Sequence, residues 1–113
     1  MPNPPTTAPS SDNRAAYVRE VLQRYLQTPG VAGRVRLADR RLAAALYDQR
    51  VPLYAVQNAF IVAAARRVRH NAFATPLPPI RSLCYFREVI REMLDRPPGF
   101  RDIEQMRQIL RYP

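Results

Sequence analysis

VPLYAVQNAFIVAAARR, residues 51 to 67, decides the architecture. Pro52 suits a first helical turn, where its missing N–H would have had no partner. Beyond it Val56, Ala59, Phe60, Ala63 and Ala64 recur at helical spacing, which predicts a helix over about Leu53 to Arg69. Its alanines allow close approach of a second helix, and LAAAL at 42 to 46 offers a matching small-residue face. That second helix, about Val35 to Gln49, turns Leu37, Ala38, Leu42, Ala45 and Leu46 inward. With three or four residues between them, the two read as a helix-turn-helix-like pair.

Working outward, Tyr17, Val18, Val21, Leu22, Tyr25 and Leu26 form a helical stripe over about Asn13 to Gln27. Asp12 or Asn13 can cap it by accepting from the first-turn N–H groups, and TPGVAG (28 to 33) ends it. HNAFATPLPP (70 to 79) is a loop, because Pro76, Pro78 and Pro79 forbid helix through it. A fourth helix, about Arg81 to Arg96, points Leu83, Phe86, Val89, Ile90, Met93 and Leu94 inward. A fifth, about Phe100 to Arg111, does so with Ile103, Met106, Ile109 and Leu110. No strand-like alternation occurs. The expectation is an all-α, compact bundle of about five helices, one domain over 13–113. Residues 1–12, rich in Pro, Ser, Thr and Asn, read as a disordered tail.

A chain of 113 residues holds a single core, burying roughly 60 to 68% of its unfolded surface. Its 47% hydrophobic content is that of a globular protein. No apolar run approaches the roughly 18 residues of a membrane span, and the N-terminus lacks the basic start and apolar centre of a secretory signal. The expected location is cytoplasmic, with no membrane partner. Cys84 and His70 are each the sole residue of their type. That excludes a disulfide framework and argues against a metal site or other cofactor.

Charge is the informative number. Eighteen basic residues face nine acidic ones, giving +9, and every basic residue is arginine. Codon bias in a GC-rich genome accounts for arginine over lysine but not for the imbalance. Such a charge opposes compactness by self-repulsion and attracts polyanions. Nucleic acid leads as partner, ahead of an acidic protein or membrane surface.

Catalysis finds no support. His70 has no nucleophile or carboxylate at an informative spacing, and as imidazolium it complements a helix C-terminus. Cys84 near a helix start reads as a small semi-buried residue, and no glycine-rich phosphate loop is present. The chain reads as a non-enzyme. The arginines divide by face. Arg34, Arg36, Arg40 and Arg41 bracket the start of the second helix with one acid, Asp39, among them. Arg66, Arg67, Arg69 and His70 close the third. On the fourth, Arg87–Arg91, Arg91–Asp95 and Glu92–Arg96 are spaced i, i+4, and their mixed signs suggest a solvated face. In PPIRSLCYF (78 to 86), Ser82 is a plausible N-cap, and Arg81 then sits at the positive end of the helix dipole. A guanidinium, a serine hydroxyl and free N–H groups there would form a phosphate site, with Tyr85 over the same face to stack on a base. The alternative is Arg81 paired with Glu88 or with an acid on a neighbouring helix.

VPLYAVQNAFIVAAARR, the loop, and PPIRSLCYFREVIREML together resemble small, mostly uncharacterised bacterial proteins associated with mobile elements and their replication genes. More loosely they resemble the helical C-terminal domain of DnaD-type replication proteins. Val56, Ala59 and Ala63 match the small-residue helix of that pattern, and Ser82, Tyr85, Ile90 and Leu94 its tyrosine-bearing helix. The likeness covers about residues 51 to 94 and departs in its longer proline-rich loop and its lack of a terminal tryptophan. It implies binding of single- or double-stranded DNA in replication or maintenance of a mobile element, beside a replication or mobile-element protein. The leading expectation is therefore a DNA-binding protein. Arg34, Arg36, Arg40, Arg41, Arg66, Arg67, Arg69 and Arg81 would neutralise phosphates, with Ser82 beside Arg81, and Tyr85 and His70 would touch bases. Six to eight duplex phosphates would give a log–log salt slope of roughly −5 to −7. The alternative is an interaction adaptor docking on an acidic partner; RNA binding is a third reading, differing only in substrate.

Overall fold

A computed structural model describes residues 11–111. Most of the expected tail lies outside the described residues; Ser11 and Asp12 open the first helix, α1 (Ser11–Gln27). Then come α2 (Leu37–Asp48), α3 (Leu53–Phe73), a 3₁₀ turn (Leu83–Phe86) running into α4 (Arg87–Asp95), and α5 (Phe100–Leu110). The all-helical architecture is as the sequence predicts.

α3 is the axis of the core. Ala59 to Ala64 are six consecutive buried residues, so no side of this segment faces water, as befits a helix apolar all round. α1, α4 and α5 pack on it, bringing Val21, Tyr25, Ile90, Met93 and Ile103 into the core. Phe60 and Phe86 meet edge to face at 4.8 Å, with Tyr25 against Phe86 at 6.1 Å. Burying each phenylalanine is worth about 1.5–3 kcal/mol, so this aromatic knot fastens α1, α3 and the 3₁₀ turn together.

The expected pairing of α2 with α3 is not what forms. α2 packs on α1 and the 3₁₀ turn, while α3 packs on α1, α4 and α5. The buried stripe of α2 is narrow (Asp39, Ala43 and Leu46), whereas α3 needs apolar cover on every side. The turn between them is a Schellman motif: Arg50 N–H donates to Tyr47 O (2.9 Å) and Val51 N–H to Leu46 O (3.0 Å). Arg50 takes the left-handed position at φ 60°, where glycine is the usual occupant. Nearby, the Tyr17 hydroxyl donates to Val51 O at 2.8 Å, and burial pushes its pKa up to about 12.

Boundaries shift for local reasons. α2 begins at Leu37 rather than Val35, because Arg36 is extended and its N–H is taken by the Asp39 carboxylate. α3 runs on to Phe73, since nothing in His70–Phe73 breaks a helix before the chain prepares for Pro76. The fourth helix, expected from Arg81, is preceded by the 3₁₀ turn: Ser82 caps that turn at Leu83, and α4 itself starts at Arg87. Leu26, Leu37, Ala38, Leu94 and Ile109, expected inward, are exposed at stripe edges or helix ends.

Candidate nucleic-acid interface

The basic segments are joined by an acid. Asp39 is buried, and its carboxylate accepts the N–H of Arg36 and the N–H of Leu83, each at 2.9 Å. The same carboxylate thus ties the start of α2 to the start of the 3₁₀ turn, 44 residues on. Ser82 Oγ accepts the Cys84 N–H at 3.1 Å, and Ser82 O accepts that of Tyr85 at 3.2 Å. The helix-start N–H groups expected to cradle a phosphate are therefore spent within the chain. The anion at this positive helix end is Asp39. Ser82, half-buried, keeps its own O–H to donate.

Arg67 is likewise not an open phosphate ligand. It is 7% exposed. One guanidinium nitrogen donates to Pro78 O at 2.7 Å and the other to the Tyr85 hydroxyl at 3.3 Å. Its central carbon lies 5.6 Å from the Tyr85 ring centroid. Its Nε lies against Gly30: a Cβ there would stand 2.9 Å away, and Gly30 already holds φ +95°. Arg67 thus pins α3, the Gly30 turn, the proline loop and Tyr85 at one point. No carboxylate among the described residues pairs with it.

Two loops meet at that pin. Ile80 N–H donates to Gly30 O and Ala32 N–H to Ile80 O, both at 2.8 Å. This stitch brings Arg81 over Gly33, its Nη1 3.9 Å from where a Cβ would be, so Arg34 and Arg81 are neighbours. His70 Nε2 donates to Thr75 O at 3.2 Å and Asn71 Oδ1 accepts the Leu77 N–H at 3.0 Å, folding the proline loop onto the end of α3.

Tyr85 stands between two hollows. One, about 360 Å³, is bounded by Arg66, Arg67, His70, Leu77 and Tyr85. The other, about 450 Å³, is bounded by Arg67, Pro78, Arg81, Ser82, Cys84 and Tyr85. Arg69 joins through a third hollow shared with Arg66, His70 and Phe73. Cys84, expected semi-buried, is an exposed thiol.

Arg66 is partly committed. It makes a two-pronged pair with Glu92 of α4, 2.9 Å from Nη1 to Oε1. That contact raises the Arg66 pKa and holds the Glu92 carboxyl below its ordinary value. Glu92, spaced i, i+4 from Arg96, thus reaches across to α3 instead. By contrast, Arg34, Arg36, Arg40, Arg41, Arg69 and Arg81 are exposed and form no ion pair among the described residues. Arg36 and Arg40 flank Asp39, near the stitched loops. Arg41, two positions past Asp39, lies about 200° round the helix and points away. From Gln49 to Arg87 the chain carries no acid at all.

Arg66, Arg69, His70, Arg81, Ser82 and Tyr85 thus line adjoining hollows, with Arg67 beneath and Arg66 bound to Glu92. Arg34, Arg36 and Arg40 belong to the segments that Asp39 and the loop stitch tie to them, and Arg41 stands apart. The sequence reading missed Gly30, Asp39 as linker, the Pro78 carbonyl and Glu92. Only Asp39 left a trace, standing three residues after Arg36 in the position of a capping acid.

What the fold and surface define is an all-helical domain with an aromatic-divided cationic face. Comparison with protein-family models, curated proteins and solved structures finds no match. Among the described residues, no three His, Cys, Asp or Glu side chains gather to hold a metal ion, and no helix is long and apolar enough to cross a membrane.

Proposed function

We propose that this chain is a non-enzymatic DNA-binding protein whose arginines engage phosphates along the surface running from Arg34 through Arg81 to Arg69. The observation that carries it is the fate of Asp39. The only acid between Glu20 and Asp48 is buried and its oxygens are taken by two backbone N–H groups, so it forms an ion pair with none of the guanidinium groups around it. Exposed cations without internal partners keep their full attraction for a polyanion. The resemblance of residues 51 to 94 to mobile-element and replication proteins supports a role in replication or maintenance of a mobile element.

Fluorescence anisotropy against labelled DNA over a salt series tests the proposal. With about five or six phosphates engaged, the log–log slope should be about −4.5 to −5.5 on duplex and about −3.5 to −4 on a single strand. A slope near zero, or no binding at 50 mM salt, overturns it. An adaptor for an acidic protein is the second reading, favoured by Phe100 and Ile109, which are 79% and 66% exposed on α5. A partner complex surviving 0.5 M salt in a protein that does not bind DNA would establish that reading instead.

A further inference from the structure

We infer that Tyr85 is a base-stacking partition and that the surface takes single-stranded DNA in preference to duplex, an inference that rests on the DNA-binding reading above. Three observations carry it. First, Tyr85 is 46% exposed and yet held: its hydroxyl meets Arg67 at 3.3 Å, and its ring packs edge to face on buried Phe86 at 5.2 Å. A large aromatic left half in water and fixed from below offers contact area at little cost in side-chain entropy.

Second, the ring borders a hollow on each side, of about 360 and 450 Å³. That is the lower end of the range for small-molecule pockets, with room for a nucleobase in either. Third, each hollow carries cationic or hydrogen-bonding groups at its rim. Arg66 and His70 lie on one side, Arg81 and Ser82 on the other. A strand crossing Tyr85 would set successive phosphates on the two rims and offer a base to the ring between them.

Duplex DNA cannot use this geometry. Its bases are covered on both faces by their neighbours, and reading it requires a protruding element that enters a groove. Here the aromatic lines two shallow hollows and is carried on a short 3₁₀ turn rather than on a projecting helix. An aromatic ring inside a cationic track is how single strands are held with little regard to sequence. Arg67 is a positioning residue in this scheme, fixing the ring from beneath.

The test uses the full chain with a fluorescein-labelled dT15, a matched 15-base-pair duplex and a matched oligo-rU. The parent should bind dT15 at least tenfold tighter than duplex. Tyr85→Ala should weaken dT15 about 5- to 150-fold, the stacking contribution of one base, with duplex binding changed less than threefold. Tyr85→Phe should stay close to the parent on dT15, and should retain the ring even if Tyr85→Ala unfolds, which thermal melting reports. Equal affinity for dT15 and duplex overturns the inference while leaving DNA binding intact, as does an equal loss on both in Tyr85→Ala. Tighter binding of oligo-rU than dT15 overturns the assignment to DNA. Binding to none of the three overturns both the inference and the function on which it rests.

Discussion

Asp39 is the residue through which two arginine-bearing segments become one surface. Its two oxygens hold N–H groups from Arg36 and Leu83 at 2.9 Å in a buried setting. Truncation to alanine orphans both donors, and each orphan costs about 1–3 kcal/mol. Asp39→Ala should therefore lose about 2–6 kcal/mol, a fall in Tm of roughly 10 °C or more for a domain this size. Asp39→Asn keeps one acceptor but turns an N–H toward the other donor, so it should fall between alanine and parent. Thermal melting of the three proteins checks the order; an unshifted Tm in Asp39→Ala would mean the two bonds do not matter. This contact shows why the site was only half legible in the sequence. That Arg34, Arg69 and Arg81 are exposed cations could be read from composition and spacing. Ser82 as a helix cap was equally readable, and its hydroxyl does accept the Cys84 N–H. That Arg67 is buried could not be read, because it depends on partners brought by the proline loop and the 3₁₀ turn. Long-range satisfaction of polar groups leaves no periodicity to read.

Among the elements, the helices followed from their apolar spacing, and their ends failed where capping is decided by a distant group or by absence of a breaker. α3 ran past Arg69 because His70–Phe73 contains nothing to stop it. The pairing of α2 with α3 failed for a different reason. Small residues license close approach but do not choose a partner, and a helix apolar on every side is claimed by whichever elements bring the most surface. The Arg66–Glu92 pair joins α3 to α4 and lends itself to a test. The guanidinium holds the Glu92 carboxyl below its ordinary 4.5, as Arg14 holds Asp48 below 3.8. A depressed folded-state pKa means the unfolded chain binds more protons. The stability from these pairs is thus present above the ordinary values and is lost as pH falls through the depressed ones. Both pairs are exposed, so each is a small term. Glu92→Gln should leave Tm at neutral pH little changed and make the acid-side fall in Tm shallower than in the parent. It also frees Arg66. On the DNA-binding reading, Glu92→Gln should bind dT15 more tightly at low salt and steepen the log–log slope by about 0.7. Weaker binding would mean that Glu92 holds Arg66 in place for phosphate rather than away from it.

At the scale of the whole molecule, what matters is how charge is distributed and not how much there is. The exposed acids Glu88, Asp95 and Asp102 belong to α4 and α5, interleaved with Arg87, Arg91, Arg96 and Arg101. A polyanion approaching that side meets nearly balanced charge. On the side built by the stitched loops and the end of α3, acids are either absent or spent. Removing two arginines from each side changes net charge equally, so the pair of variants separates a located interface from a diffuse attraction. Arg34→Ala/Arg81→Ala should make the dT15 salt slope less negative by about 1.4, two phosphates' worth, and weaken binding at least tenfold at 100 mM salt. Arg91→Ala/Arg101→Ala should alter the slope by less than about 0.4 under the same relation and leave affinity within threefold. Neither pair removes a described hydrogen bond or ion pair, so both proteins should melt near the parent. Equal losses from the two doubles would mean that only the +9 total attracts DNA, and that the convergence of Arg34, Arg69 and Arg81 on one face has no consequence for binding.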